Sequence, residues 1–195
     1  MPEPAAASGE RFWAYSLAVY GREGVAAACI ALQDRHGLDV NFLLLGLFAG
    51  EHGCALGAEA LARLDSLSAP WRENVTAKLR AVRRWLKAQG VFPAEAAAPL
   101  RQAVLAQEIE AERHQHRLME QHLALAEAPA DPAIAAGNLA RYVIHAGVAP
   151  DAADLADLAT LIVQAFPRVA AEDAKAMLGR HLPASAPAAP PLTPH

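Results

Sequence analysis

A chain of 195 residues carrying a formal net charge of −4 is long enough for one domain and too acidic for broad binding to nucleic acid or anionic membrane surfaces. Hydrophobic residues make up 54%, but much of that is Ala, aromatics are only 6%, and no stretch reads as a strand. Since Ala is the best helix former, the composition points to an all-α fold.

The opening MPEPAAASGE has neither the basic nor the apolar region of a secretory signal, and residues 1–9 read as a flexible lead-in. A first helix is expected over Glu10–Tyr20, with Phe12, Trp13, Ser16, Leu17 and Tyr20 near one face. A second, Ala-rich helix covers Val25–His36, with Gly37 as its left-handed cap. Asp39 caps a third, Val40–Glu51, whose uniform hydrophobicity marks it as the most buried element; Gly50, Gly53 and Gly57 are expected to make its exit flexible. That apolar run is too short to span a bilayer, so the expectation is a cytoplasmic protein with no membrane partner. Cys29 and Cys54 sit in small apolar surroundings and are expected as free thiols.

Glu59–Leu67 forms a short fourth helix. Ser68-Ala-Pro70 reads as a start signal for a fifth, Trp71–Ala88, with Trp71, Val75, Leu79, Val82 and Leu86 as its apolar stripe. After a connector over Val91–Pro99, a long sixth helix runs from about Leu100 to Ala126, and Glu108, Glu112, His116 and Glu120 share one face at i+4 spacing. Pro129 and Asp131-Pro132 mark a boundary near 128–132. Residues 10–128 are expected as a compact multi-helix core domain, and 129–182 as a helical C-terminal extension with helices near 133–145, 151–166 and 168–181. The Pro/Ala-rich tail, 183–195, cannot bury a core and is expected to be disordered.

The segments FWAYSLAVY, GVAAACIALQD, GLDVNFLLL, KLRAVRR and QEIEAER resemble a family of uncharacterised proteobacterial proteins known only as a domain of unknown function. The resemblance covers about residues 11–123, and LQDxxGLDVN is its most specific signature. It implies a compact, cytoplasmic, mostly helical domain and brings no activity, cofactor or catalytic residue.

Three constellations carry chemistry. Gln33, Asp34, His36, Asp39 and Asn41 form a polar knot beside core-forming residues, a costly placement unless each group finds a partner. The spacing fails the calcium-loop pattern. Capping by Asp39 and Asn41, and pairing of Asp34 with a helix-five arginine, accounts for the knot structurally; lining a small-molecule or metal site is the rival. Glu108, Glu112 and His116 are placed to chelate a divalent ion, but the Glu-x-x-His pairs of a di-iron bundle are absent. Pairing of Glu108 and Glu112 with Arg80, Arg83 or Arg84 is the favoured reading. The cations of the fifth helix (Arg72, Lys78, Arg80, Arg83, Arg84, Lys87) would suit phosphates, yet no nucleic-acid fold accompanies them.

No nucleophile elbow, phosphate loop, dinucleotide fingerprint or H-E-x-x-H motif is present. The expectation is therefore a non-enzymatic interaction or regulatory scaffold, without cofactor, held by a buried Asp/Glu–Arg network. A metal- or small-molecule-binding bundle using the acidic–His face, and a nucleic-acid binder using residues 72–87, are the alternatives. The sequence is compatible with a protein partner or with a second copy, the latter through Leu43–Phe48 or the C-terminal helices, and selects neither.

Overall fold

The computed structural model describes residues 10–125 and 128–182. The lead-in 1–9 and the tail 183–195, for which flexibility and disorder are expected, lie outside those residues. Helices α1 (Arg11–Tyr20), α2 (Val25–His36), α3 (Val40–Glu51), α4 (Ala58–Trp71), α5 (Ala77–Ala88), α6 (Ala94–Gln121), α7 (Pro132–His145), α8 (Ala152–Ala165) and α9 (Ala171–Gly179) form an all-α bundle with no strand among the described residues.

Local chemistry sets most of the ends. Gly37 closes α2 at φ 70°, a left-handed conformation that favours glycine, and its N–H donates to the Gln33 carbonyl. Asp39 accepts from the Asn41 N–H at the start of α3. Asp131, followed by Pro132, caps α7. Asp151 and Asp154 form a reciprocal capping box at α8.

Two boundaries differ from the sequence expectation. Ser68-Ala-Pro70 does not start a helix: α4 runs through Pro70, and a π-helical segment, Arg72–Thr76, joins it directly to α5. Proline lacks the N–H and its ring crowds the carbonyl four residues back, and the wider turn that follows absorbs the mismatch. The Asn74 side-chain amide donates to the Pro70 carbonyl at 2.9 Å, and the Ser68 hydroxyl, fully buried, donates back to Asp65 instead of capping. Likewise α6 starts at Ala94, includes Pro99, and ends at Gln121. Pro93 supplies its N-terminal boundary, so the expected connector shrinks to a short turn in which Gln89 Oε1 accepts from the Val91 and Phe92 N–H groups.

The core grows around α3, where every residue from Asn41 to Gly50 is buried. A helix apolar on all sides must be enclosed on all sides. Helices α1, α2, α6, α7 and α8 all touch it, and α7 packs along it most extensively. The expected flexibility at Gly50 is not found: Gly50 lies inside α3, where a Cβ would stand 2.4 Å from the Ala135 Cβ. The missing side chain is what lets α7 approach, and the Gly50 carbonyl accepts from the Asp131 N–H at 2.9 Å. Asn138 of α7, fully buried, ties the same seam by donating to the Gly46 and Cys54 carbonyls and accepting from the Leu56 N–H at 2.7 Å. Leu43–Phe48, expected as one possible dimer face, is spent in this core, with no residue more than 3% exposed among the hydrophobic ones.

The segment expected as an extension contributes Leu139, Val143, Leu158, Leu161, Ile162 and Leu178 to the same hydrophobic cluster as α1–α3. Helix α8 packs on α2, and α9 closes over α7 and α8. Helices α5 and α6 form an antiparallel hairpin that meets the core only in part: α5 buries Leu86 alone, while Val82 and Trp85 remain exposed.

Gly50→Ala is expected to destabilise the chain by about 1–3 kcal/mol through overpacking, despite the ~1 kcal/mol that Ala gains in helix propensity. Gly46→Ala, whose nearest clash would be the mobile end of Leu139 at 3.3 Å, should cost less. Urea unfolding of the two variants checks the order.

Candidate charged cleft

Where the α5–α6 hairpin leans away from the core, it leaves a cleft of about 510 Å³ against α1 and the α2–α3 corner. Helix α1 lines it with the Trp13, Ser16, Leu17 and Tyr20 side of its expected stripe, while Phe12 and Val19 point into the core. Gln33 enters from α2, and Asp39 and Asn41 from the N-terminus of α3. Arg80, Arg83, Arg84 and Lys87 come from α5, and Glu108, Glu112 and His116 from α6.

The i, i+3, i+4 spacing that places Arg80, Arg83 and Arg84 on one side of α5 turns them toward an α6 face with its own four-residue repeat. Arg80 Nε donates to Glu108 Oε1 at 3.0 Å, and its Nη2 reaches Glu112 at 2.8 Å. Arg83 engages both oxygens of Glu108, at 2.5 and 3.3 Å. Glu108 is only 3% exposed. Burial alone would raise its pKa, but the hydrogen bonds from Arg83 and Arg80 outweigh burial and hold it below the ordinary value. Glu112 goes the other way: its burial, reinforced by the neighbouring Glu108 charge, exceeds what Arg80 returns, and its pKa is raised. Arg84 and Lys87 have no ion-pair or hydrogen-bond partner among the described residues and are exposed.

A second set of polar contacts anchors the α3 end of the cleft. Asp39 Oδ2 accepts from Gln115 Nε2 at 2.8 Å, and Gln115 Oε1 accepts in turn from Asn41 Nδ2 at 3.0 Å. The Asp39 N–H donates to the Tyr142 hydroxyl at 2.7 Å. Arg72, in the π segment, stands 3.6 Å from Asp39 and 2.9 Å from Asp65, which also meets His145. Gln115 is 1% exposed and was missing from the sequence reading, although its i+3 step from Glu112 and i+7 step from Glu108 place it on their face.

Two members of the expected polar knot lie elsewhere. Asp34 does not pair with an arginine of α5; it is exposed on the outer side of the α2 terminus. Its neighbours Arg35 and His36 turn toward α8 instead, where both bond the buried Asp154, at 2.8 Å each. One residue along a helix is a rotation of about 100°, enough to exchange one neighbouring helix for another.

His116 is the buried centre of the remaining wall, 1% exposed, with Phe12 4.2 Å and Trp13 5.0 Å away between ring centroids. Burial lowers its pKa to about 4. A carbonyl can only accept, so Nδ1 carries the proton that bonds the Glu112 carbonyl at 2.8 Å, and Nε2 accepts from the Ser16 hydroxyl at 3.0 Å. Through these two bonds His116 and Ser16 tie α1 to α6. Both ring nitrogens are thereby engaged, and Glu108 is held by guanidinium. No group of three or more His, Cys, Asp or Glu side chains is placed to hold a metal ion among the described residues. Both cysteines are free thiols; Cys29 is buried, and desolvation raises its pKa to about 12. No helix among the described residues is long and apolar enough to cross a membrane.

His116 imposes a pH dependence. The unfolded ring takes up a proton near its ordinary value of 6.5, whereas the folded one does so only near 4, so its contribution is complete above about 6.5 and is lost as pH falls toward 4. Between pH 7 and 4.5 the wild-type chain should lose roughly 2–3 kcal/mol more stability than His116→Gln. Urea unfolding at several pH values measures the difference.

No match to this chain is found among curated proteins, and none among solved structures. The part that builds every wall of the cleft, α1 through α6, coincides with a region that does match a family: over residues 11–119 the chain belongs to the family described as Protein of unknown function (DUF2390).

Proposed function

We propose that this chain is a non-enzymatic helical binding module that receives its ligand in the cleft between α1, α3 and the α5–α6 hairpin. The observation that carries this reading is the division of charge in the cleft: Glu108 and Glu112 are committed to Arg80 and Arg83, while the space beside them, about 510 Å³, falls within the range of small-molecule sites. The paired charges act as architecture. They hold α5 against α6, and the Asp39–Gln115–Asn41 contacts hold α6 against α3, so the wall keeps its spacing when the cleft is empty. Buried pairs of this kind contribute more to register than to net stability, and breaking one still strands a charge.

His116, whose two ring nitrogens bond the Glu112 carbonyl and the Ser16 hydroxyl, supports a structural part for that wall. The basic stripe of α5 supports nucleic-acid binding poorly, because Arg72, Arg80 and Arg83 are neutralised within the chain.

Arg80→Ala should cost about 2 kcal/mol of stability, since it leaves Glu112 unpaired and Glu108 with one guanidinium, whereas exposed Arg84→Ala should cost close to nothing. Equal losses in urea unfolding would count against a network that holds the hairpin. Binding is tested with the neutral, polarity-sensitive dye N-phenyl-1-naphthylamine: one saturable site is expected in the wild-type chain, weakened by Ile109→Trp, which fills the cleft from α6. A dye that does not bind, or binds both chains alike, overturns the reading.

A further inference from the structure

The cleft has two unlike parts. Toward the α5 side, Arg84 and Lys87 line it one helical turn apart (i, i+3) with no carboxylate partner among the described residues. Toward α1, α2 and α6 it is lined by Trp13, Leu17, Ile30 and Ile109, of which Leu17, Ile30 and Ile109 are 56%, 48% and 43% exposed. Exposed apolar side chains gathered around one depression, next to cations that the chain does not neutralise, mark surface that gains by being covered.

The charge balance gives the sign of the occupant. Four cations (Arg80, Arg83, Arg84, Lys87) and three carboxylates (Asp39, Glu108, Glu112) line the cleft. The carboxylates are already satisfied by Arg80, Arg83, Arg72 and Gln115, so what faces an incoming molecule is the unspent pair on α5. A cationic ligand would meet Arg84 and Lys87 without a counter-charge, and a purely apolar one would leave their charge unused.

Resting on the binding reading above, we infer that the ligand is a small amphipathic organic anion: a single carboxylate or similar acid group held by Arg84 and Lys87, on an aliphatic or aromatic body that lies against Trp13, Leu17, Ile30 and Ile109. Guanidinium supplies a bidentate fork for the acid group and the lysine a point charge beside it.

The test is competition against N-phenyl-1-naphthylamine with three probes whose unbranched alkyl chains have nine or ten carbons and whose heads differ: decanoate, decanol and decyltrimethylammonium. In the wild-type chain decanoate should displace the dye at about tenfold lower concentration than decanol, the order expected for one charge-assisted contact, with the cation weakest. The advantage should shrink at high salt, because Arg84 and Lys87 are exposed. Arg84→Glu/Lys87→Glu should abolish or invert the preference, read as the ratio of decanoate to decanol competition in the same variant so that any change in dye affinity cancels; Arg84→Gln/Lys87→Gln, which adds no acid to the cleft, should reduce it to parity if the first variant folds poorly by circular dichroism. Dye binding without a decanoate preference, or a preference that survives both double variants, overturns the anion assignment and leaves the binding module standing. Failure of the dye to bind the wild-type chain overturns both.

Discussion

A helix without a polar side obliges the rest of its chain to build a shell. Helix α3 is such an element: its apolar residues from Phe42 to Ala49 are all but inaccessible, so each neighbouring helix has to present a matching face. Gly46 and Gly50 give α7 its close approach, α1 brings Phe12 onto Phe48, and Phe42 stacks on Tyr142. The shell is complete around the middle and the C-terminal half of α3. At its N-terminus the polar groups Asp39 and Asn41 interrupt the apolar surface, and there the chain leaves a cleft instead of closing.

That opening explains the density of ion pairs around it. A carboxylate as buried as Glu108 is tolerable only with guanidinium on its oxygens, and α5 supplies two. Two more electrostatic joints serve the far side of the molecule: Arg35 and His36 on Asp154 fasten α2 to α8, and Glu10 on Arg113 and Arg117 fastens the entry of α1 to α6. Glu120, nearly buried, completes that entry by accepting the Phe12 N–H at 3.0 Å. Joints of this sort are directional, which apolar contacts are not, and they select one arrangement of helices that would otherwise slide.

The parts of this design that could be read from the residues are those written in short-range pattern. Period and the caps Gly37 and Asp39 locate α1, α2 and α3, and the Asp131-Pro132 break locates the start of α7, because these residues act within a few positions of themselves. The four-residue repeat of Glu108, Glu112 and His116 likewise puts them on one face. What short-range pattern cannot carry is choice of partner. Asp34 and Arg35 are adjacent in a polar segment, and only the three-dimensional phase of α2 decides that the arginine finds Asp154 while the aspartate faces outward. The buried hub Asn138 has no distinguishing context in sequence, as its three backbone partners come from Gly46, Cys54 and Leu56. Pro70 misleads for a related reason: its local signal to begin a helix is genuine, but packing of Leu61, Leu64 and Ser68 against the core keeps the preceding turns in place.

The π turn after Pro70 also works as a phase setting for everything downstream. Its five residues, Arg72–Thr76, occupy a span that an ordinary α-helix would cover with about one residue fewer, and each α-helical residue is worth about 100° of rotation. Losing a single codon there would straighten the turn and spin the whole of α5 on its axis, swinging its guanidinium row off the neighbouring helix and bringing a different set of side chains to the opening. One residue's worth of rotation in that turn therefore sets which side chains of α5 face the opening.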